Sequence, residues 1–200
     1  MVKLMNKEKK KIRKLLIVLV LVTIVSFILG MLFISILSDS NQELVKVSVN
    51  SYFDGISKGN MLYLKSLYSI LMSNLFLILF VWVIGISIIG VFCVLGILIF
   101  KSFLVGFSFM SILYTYGLKG ILLALIYIIP EMFNLFIIFV LVYYSISFSV
   151  LLFNYLFRKK EYNRRVVVTR YLKILIVSLI FIIVTSFVSA FIIPNVLRIF

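Results

Sequence analysis

Two side chains in this chain could do chemistry inside otherwise apolar sequence: Lys101, in "LIFKSFLVGF", and Glu131, in "YIIPEMFN". A charge at membrane depth is costly, so an ionisable residue there points to function by default. Lys101 ends a long apolar run, where its ammonium can snorkel to the headgroups. Glu131 keeps two readings open. It could belong to a substrate, ion or lipid site, or it could be a first-turn charge on the next helix, with Pro130 in the opening turn that suits proline and the positive helix end attracting the carboxylate.

Other catalytic chemistry is missing. There is no histidine, which removes the usual general base, the commonest metal ligand and every histidine-dependent triad. The single Cys93 lies in an apolar run, so neither a disulfide framework nor a zinc site is available. Six acidic residues are scattered, with Asp39 and Asp54 in one loop instead of in spans, and no glycine-rich phosphate loop occurs. The chain reads as a non-enzyme, with no cofactor, metal or small-molecule substrate expected.

The elements that must position these residues are membrane helices. Over 200 residues the chain is 64% hydrophobic, with a mean hydropathy of +1.29, too apolar for a soluble domain. A span needs roughly 20 apolar residues. Charge-free runs over 15–38, 66–100, 102–118, 120–130, 132–157 and 174–197 predict an all-α integral membrane protein with about five spans, near 15–37, 70–100, 102–118 or somewhat beyond, 132–157 and 174–196. The segment 120–130 is too short to cross alone, which predicts a broken or re-entrant region near 117–131.

The net charge of +14 has two foci: seven Lys and Arg in Lys3–Lys14 and seven in Arg158–Lys173. Both flank spans, where positive charge orients a membrane protein and meets anionic lipid, so nucleic acid is not the expected partner. With Lys101 these fifteen face five (Lys46, Lys58, Lys65, Lys119, Arg198), which predicts a cytoplasmic N-terminus and an extracytoplasmic C-terminus. The first span is too long for the apolar core of a cleaved signal peptide and reads as an uncleaved anchor. The expected organisation is a basic cytoplasmic N-terminus at 1–14 and one helical membrane domain at 15–200. That domain carries an extracytoplasmic loop at 38–66 and a basic cytoplasmic loop at 158–173.

Within the first loop, Ser40 and Glu43 have capping-box spacing, and Asp54-Gly55 and Lys58-Gly59 supply stop signals. Leu44, Val45, Val49, Tyr52, Phe53 and Ile56 recur between them at helical spacing. This amphipathic helix lies on the membrane or the bundle, or offers a partner-facing surface. Gly85, Gly90 and Gly96, with the small-residue pairs Ser102/Gly106 and Ser186/Ala190, predict close helix packing.

The stretch "WVIGISIIGVFCVLGILIFKSFLVGF", 82–107, continuing through "GLKG" to "IPEMFN", resembles the core of the stage II sporulation protein M family. In that family a W-x-x-G-x-x-x-x-G helix leads to a lysine at its end, a V-G-F step, a glycine pair, and a proline followed by polar residues. The matching residues here are Trp82, Gly85, Gly90, Lys101, Val105, Gly106, Phe107, Gly117, Gly120, Pro130 and Asn134. Glu131 is a departure, taking a place where the family often has a neutral or imidazole group, and Asn134 is set further back.

The resemblance implies a multi-pass protein of the cytoplasmic membrane, at the sporulation septum and engulfing membrane of an endospore-forming bacterium. It would be a scaffold required for forespore engulfment, recruiting the stage II peptidoglycan-degrading proteins D and P and catalysing nothing itself. The alternative is a permease-like subunit of a transport system, since broader members of the superfamily resemble transport components.

Overall fold

The computed structural model describes residues 2–57, 63–158 and 164–198, with side chains over 13–57, 63–157 and 165–198. The expected Lys58-Gly59 stop signal lies outside the described residues, as do Lys159 and Lys160 of the basic loop. Among the described residues there is no strand. Five long helices carry the apolar runs: α1 (Val2–Phe33), α3 (Tyr63–Gly85), α4 (Gly90–Tyr116), α5 (Gly120–Arg158) and α6 (Arg164–Phe187). A shorter α2 (Asp39–Ser57) follows α1, and a π-helical turn, Val188–Ile192, joins α6 to α7 (Ile193–Leu197).

Four stretches are long and apolar enough to cross a membrane: Arg13–Ile36, Tyr63–Gly85, Gly90–Phe157 and Arg165–Leu197. The third contains both α4 and α5, folded back on each other at Gly117. That glycine has φ +60°, a conformation disfavoured for residues with a Cβ, and its N–H caps the Leu113 carbonyl. The protein is an all-α membrane protein.

The helices differ from the expected spans in two places. The second span does not run from 70 to 100. It ends at Gly85, and the chain turns through Ile86–Ile89 into α4. Hydropathy could not see this turn, because it is made of Ile, Ser, Ile and Ile and is closed by backbone bonds: Ile86 N–H to the Val83 carbonyl at 3.2 Å, Ser87 N–H to Ile84 at 3.0 Å, and Gly90 N–H to Ser87 at 3.2 Å. A Cβ on Gly90 would collide with the Ile84 carbonyl, so the turn depends on that glycine.

The second difference is that the break near 117–131 is confined to its start at 117–119, and 120–131 is neither broken nor re-entrant. After a single 3-10 turn at Gly117–Lys119, α5 runs 39 residues without interruption, and Pro130 lies inside it. Proline removes one ladder hydrogen bond, but in a bundle without water the remaining backbone groups have no better partner than the helix. Glu131 is therefore not a first-turn residue.

The core lies where α3, α4, α5 and α6 meet, and Leu19 of α1 belongs to the same buried cluster as Ile78, Val81, Val94, Leu98, Leu141 and Ile182. The outward faces are also apolar, as on α1 at Ile17, Leu21, Ile24 and Ile28, the pattern of a surface solvated by lipid. Arg13, Lys14, Arg165, Arg170 and Lys173 gather at one end of the bundle, called here the basic end.

Helices α1 and α4 pack by reciprocal close approach. A Cβ on Gly30 would strike the Phe103 carbonyl, and one on Gly106 would strike that of Phe27. With buried Ser26 and Ser102 one turn away, this is a small-xxx-small crossing formed by both helices.

Candidate functional site

Lys101 and Glu131, thirty positions apart, meet across the α4–α5 hairpin: Lys101 Nζ lies 2.8 Å from Glu131 Oε2. Each residue is roughly 16 Å from the start of its own helix. That is mid-depth in a bundle whose α4 is about 40 Å long. Lys101 is thus not a helix-end residue snorkelling to the headgroups, because its helix begins at Gly90 and a carboxylate within reach neutralises it. The side chains are only 16% and 25% exposed. A signal for the pair existed in the sequence, since folding the chain at Gly117 brings 101 and 131 to nearly the same depth.

Beyond the pair, away from the basic end, α2 closes the bundle. Tyr52 packs edge-on against Tyr127, with ring centroids 5.8 Å apart, and Phe53 packs likewise against Tyr116 at 5.4 Å. Ile56 is buried with Ile193 and Leu197. Burial, and after it the Glu131 carboxylate, pushes the Tyr52 phenol above its ordinary pKa. Gln42 ties α2 to the end of α1 by donating to the carbonyls of Ile34 and Leu37 at 3.2 and 3.0 Å, and accepts from the Tyr114 hydroxyl. Lys46 rests over the Tyr114 ring at 4.8 Å.

Between α2 and the α4–α5 hairpin lies a cavity of about 360 Å³, lined among others by Val45, Val49, Tyr52, Phe107, Ser111 and Tyr127. Of the readings of this helix, the structure has it lying on the bundle, with its apolar face turned inward. Val45, Val49, Tyr52 and Phe53 are half-buried and Ile56 is buried, leaving Leu44 as the exposed member. The bundle's own apolar surface was the nearest partner for that face.

A second polar contact lies one turn along α5. Asn134 is fully buried, and its Oδ1 accepts from the Thr185 hydroxyl of α6. Asn134 Nδ2 and the neighbouring Ser186 Oγ are buried with no hydrogen-bond partner among the described residues.

Toward the basic end, hydroxyls take up the carbonyls that α3 leaves free as it ends. Ser149 Oγ donates to Gly85 O at 2.7 Å, with Ser87 O at 2.9 Å, and Tyr171 Oη donates to Trp82 O at 2.9 Å. The Tyr171 ring stacks between Trp82 and Phe148, with centroids 5.6 and 4.6 Å away. A Cβ on Gly85 would fall 2.5 Å from both Ser145 Oγ and Tyr171 Oη, so the hydroxyl pair can form only over a glycine.

These contacts use the same residues that carry the sequence motif, and a protein-family comparison agrees. The model of the family described as stage II sporulation protein M matches residues 18–194. The chain belongs to that family. No curated protein and no solved structure matches it.

The family motif can now be placed. Trp82, Gly85 and Gly90 do not share one helix; they form the α3–α4 turn and its hydroxyl clamp. Lys101 and the position after Pro130 form the ion pair. Gly106 makes the α1 crossing, Phe107 lines the cavity under α2, and Gly117 and Gly120 bracket the opposite turn, where a Cβ on Gly120 would lie 2.8 Å from Tyr116 Cβ. Asn134 joins α5 to α6.

Sequence reasoning missed Gly30, Tyr171, Ser149 and Thr185. Gly30 had a signal in its small-xxx-small spacing with Ser26. The hydroxyls had none, because their partners, backbone carbonyls for Ser149 and Tyr171 and the Asn134 side chain for Thr185, are 51 to 89 residues away.

Proposed function

We propose that this sporulation-family membrane protein is a non-enzymatic scaffold for forespore engulfment. In this reading it holds the peptidoglycan-degrading proteins D and P of stage II at the septal membrane. The observation that carries the reading is the family match across residues 18–194. It is supported by how the bundle uses its polar groups: Ser149 and Tyr171 on backbone carbonyls, Lys101 on Glu131, Thr185 on Asn134. These are helix-to-helix ties, as a rigid platform requires. The basic end faces the cytoplasm and the end closed by α2 and α7 faces out, an orientation supported by the excess of Lys and Arg at the basic end. The test is deletion of the gene and imaging of sporulating cells with a membrane dye, where arrested engulfment is expected. Normal engulfment overturns the scaffold reading.

The rival reading is a permease-like subunit, favoured by a charge pair at mid-depth next to a cavity. Removing one charge cannot separate the two, because it strands the other. Removing both can: Lys101→Met with Glu131→Gln leaves a scaffold working and disables a conduction path.

A further inference from the structure

Protein groups satisfy the Lys101–Glu131 pair only in part. The 2.8 Å contact is the one hydrogen bond either side chain makes among the described residues, so most of the ammonium's donors and of the carboxylate's lone pairs are left over. An ion pair taken out of water recovers its desolvation only when those remaining positions are filled as well. Yet at mid-depth the two side chains keep 16% and 25% of their surface exposed. Turned to hydrocarbon, that surface would be a charge facing lipid, a costly arrangement. Turned to a wet space, it completes the pair.

Such a space lies next to it. Tyr127 is one turn from Glu131 on α5, on the side of α2, and lines the cavity of about 360 Å³. The walls are largely apolar, but five of the eleven lining residues carry hydroxyls: Ser48, Tyr52, Ser108, Ser111 and Tyr127. Those of Tyr52, Ser108 and Tyr127 have no hydrogen-bond partner among the described residues, although the two phenol rings touch. The Glu131 carboxylate is felt at Tyr52, whose pKa is raised by burial first and by that charge second. The roof is α2, which is not among the stretches apolar enough to cross a membrane, and its rim residues Leu44 and Ser48 are exposed. Ser111 lies about 9 Å below the turn at Gly117, so the mouth is at the membrane boundary and not at its centre. On the other side of the pair the way is shut, because Leu98, Leu135 and Ile138 are buried in the core.

We infer that the space under α2 is a hydrated vestibule, open on the α2 side and closed below the ion pair, through which water and small hydrophilic solutes reach Lys101 and Glu131. A water needs roughly 30 Å³, so the cavity has room for several, with hydroxyls to hold them. A lipid chain would cover the apolar walls but leave the pair and the phenols without partners. The inference rests on the pair and the cavity, and it holds whether the protein is a scaffold or a permease.

The test is thiol accessibility in the full-length protein with Cys93→Ser, assayed in whole cells and in inverted vesicles with an impermeant trimethylammonium methanethiosulfonate, which reacts with thiolates in water. Asn50→Cys, exposed on α2, reports which preparation presents the α2 side. Ser108→Cys and Ser111→Cys keep the shape of the cavity wall. Glu131→Cys leaves Lys101 an anion, since a neighbouring ammonium favours the thiolate, and Tyr127→Cys repeats the deep measurement without touching the pair. Leu104→Cys, on the exposed apolar face of α4 at a similar depth, is the lipid control, and Leu98→Cys lies below the closure. From the α2 side, the cysteines at 108, 111, 127 and 131 are expected to react at least about tenfold faster than the one at 104, with the one at 98 silent. Rates at 108 and 111 no faster than at 104 would mean a lipid-filled cavity and overturn the proposal. So would reaction at 108 and 111 with silence at both 127 and 131, which would stop the water short of the pair. Equal reaction from the other side of the membrane would overturn the closure.

Discussion

Lys101 of α4 and Glu131 of α5 form a 2.8 Å ion pair at the middle of the bundle's depth, each the nearest answer to the other's charge. Removing one partner of a buried pair strands a charge at a cost of about 3–5 kcal/mol. The partial exposure of this pair lowers the expectation to about 2–3 kcal/mol. Glu131→Gln and Lys101→Met should each lower the unfolding stability of the purified protein by that amount. The double variant should recover most of the loss, and a cycle with no recovery would show that the pair does not couple.

The reciprocal glycines of α1 and α4 allow no side chain. Gly30→Val and Gly106→Val should each destabilise by roughly 1–3 kcal/mol through overpacking. Gly96 has open space where its Cβ would sit, so Gly96→Ala should be neutral, or stabilising by up to about 1 kcal/mol from helix propensity. Thermal unfolding of the three proteins in one detergent checks the contrast.

Tyr171 and Ser149 satisfy the carbonyls at the end of α3. Tyr171→Phe keeps the stack with Trp82 and Phe148 and removes only the hydroxyl, leaving buried carbonyls short of a donor at about 1–3 kcal/mol. Ser149→Ala should cost a similar amount. Both changes should speed hydrogen exchange around Ile84–Gly90 and leave the far turn at Gly117 as it was. Equal speeding at both turns would sink the assignment.

Tyr52 should give stability an alkaline limb. Its folded-state pKa lies above the ordinary 10.0, so its contribution is fully present below pH 10 and is lost as pH rises through the higher folded value. Unfolding measured from neutral pH upward should show stability falling above about pH 10. Tyr52→Phe should make that fall shallower. An unchanged limb would mean that other phenols carry it.

The proposed orientation predicts that a single cysteine introduced near Phe200, with Cys93 replaced, reacts in whole cells with a thiol reagent that cannot cross the membrane. A cysteine at Lys7 should react only after lysis. The opposite pattern would invert the topology.

Much of the fold was legible because hydrocarbon leaves the chain few choices. Apolar runs with no water available must become helices, and the runs at 15–38, 132–157 and 174–197 did so. The errors fell where sequence punctuation was read by the rules of water. Lys101 looked like a helix end and Pro130 like a helix start; both lie inside helices. The real turn, Ile86–Ile89, carries no charged residue and only Ser87 among isoleucines, so composition could not mark it.

The sequence by itself determined the solvent, the helical class and the family, because hydropathy, charge clusters and the spacing of Trp82, Gly85, Gly90 and Gly106 are local properties. Only the tertiary structure decided who meets whom. It brought Glu131 to Lys101, put hydroxyls from α5 and α6 on the carbonyls of α3, and folded the face of α2 onto its own bundle. Each of these depends on two helices at one depth and one angle, and no local pattern records that.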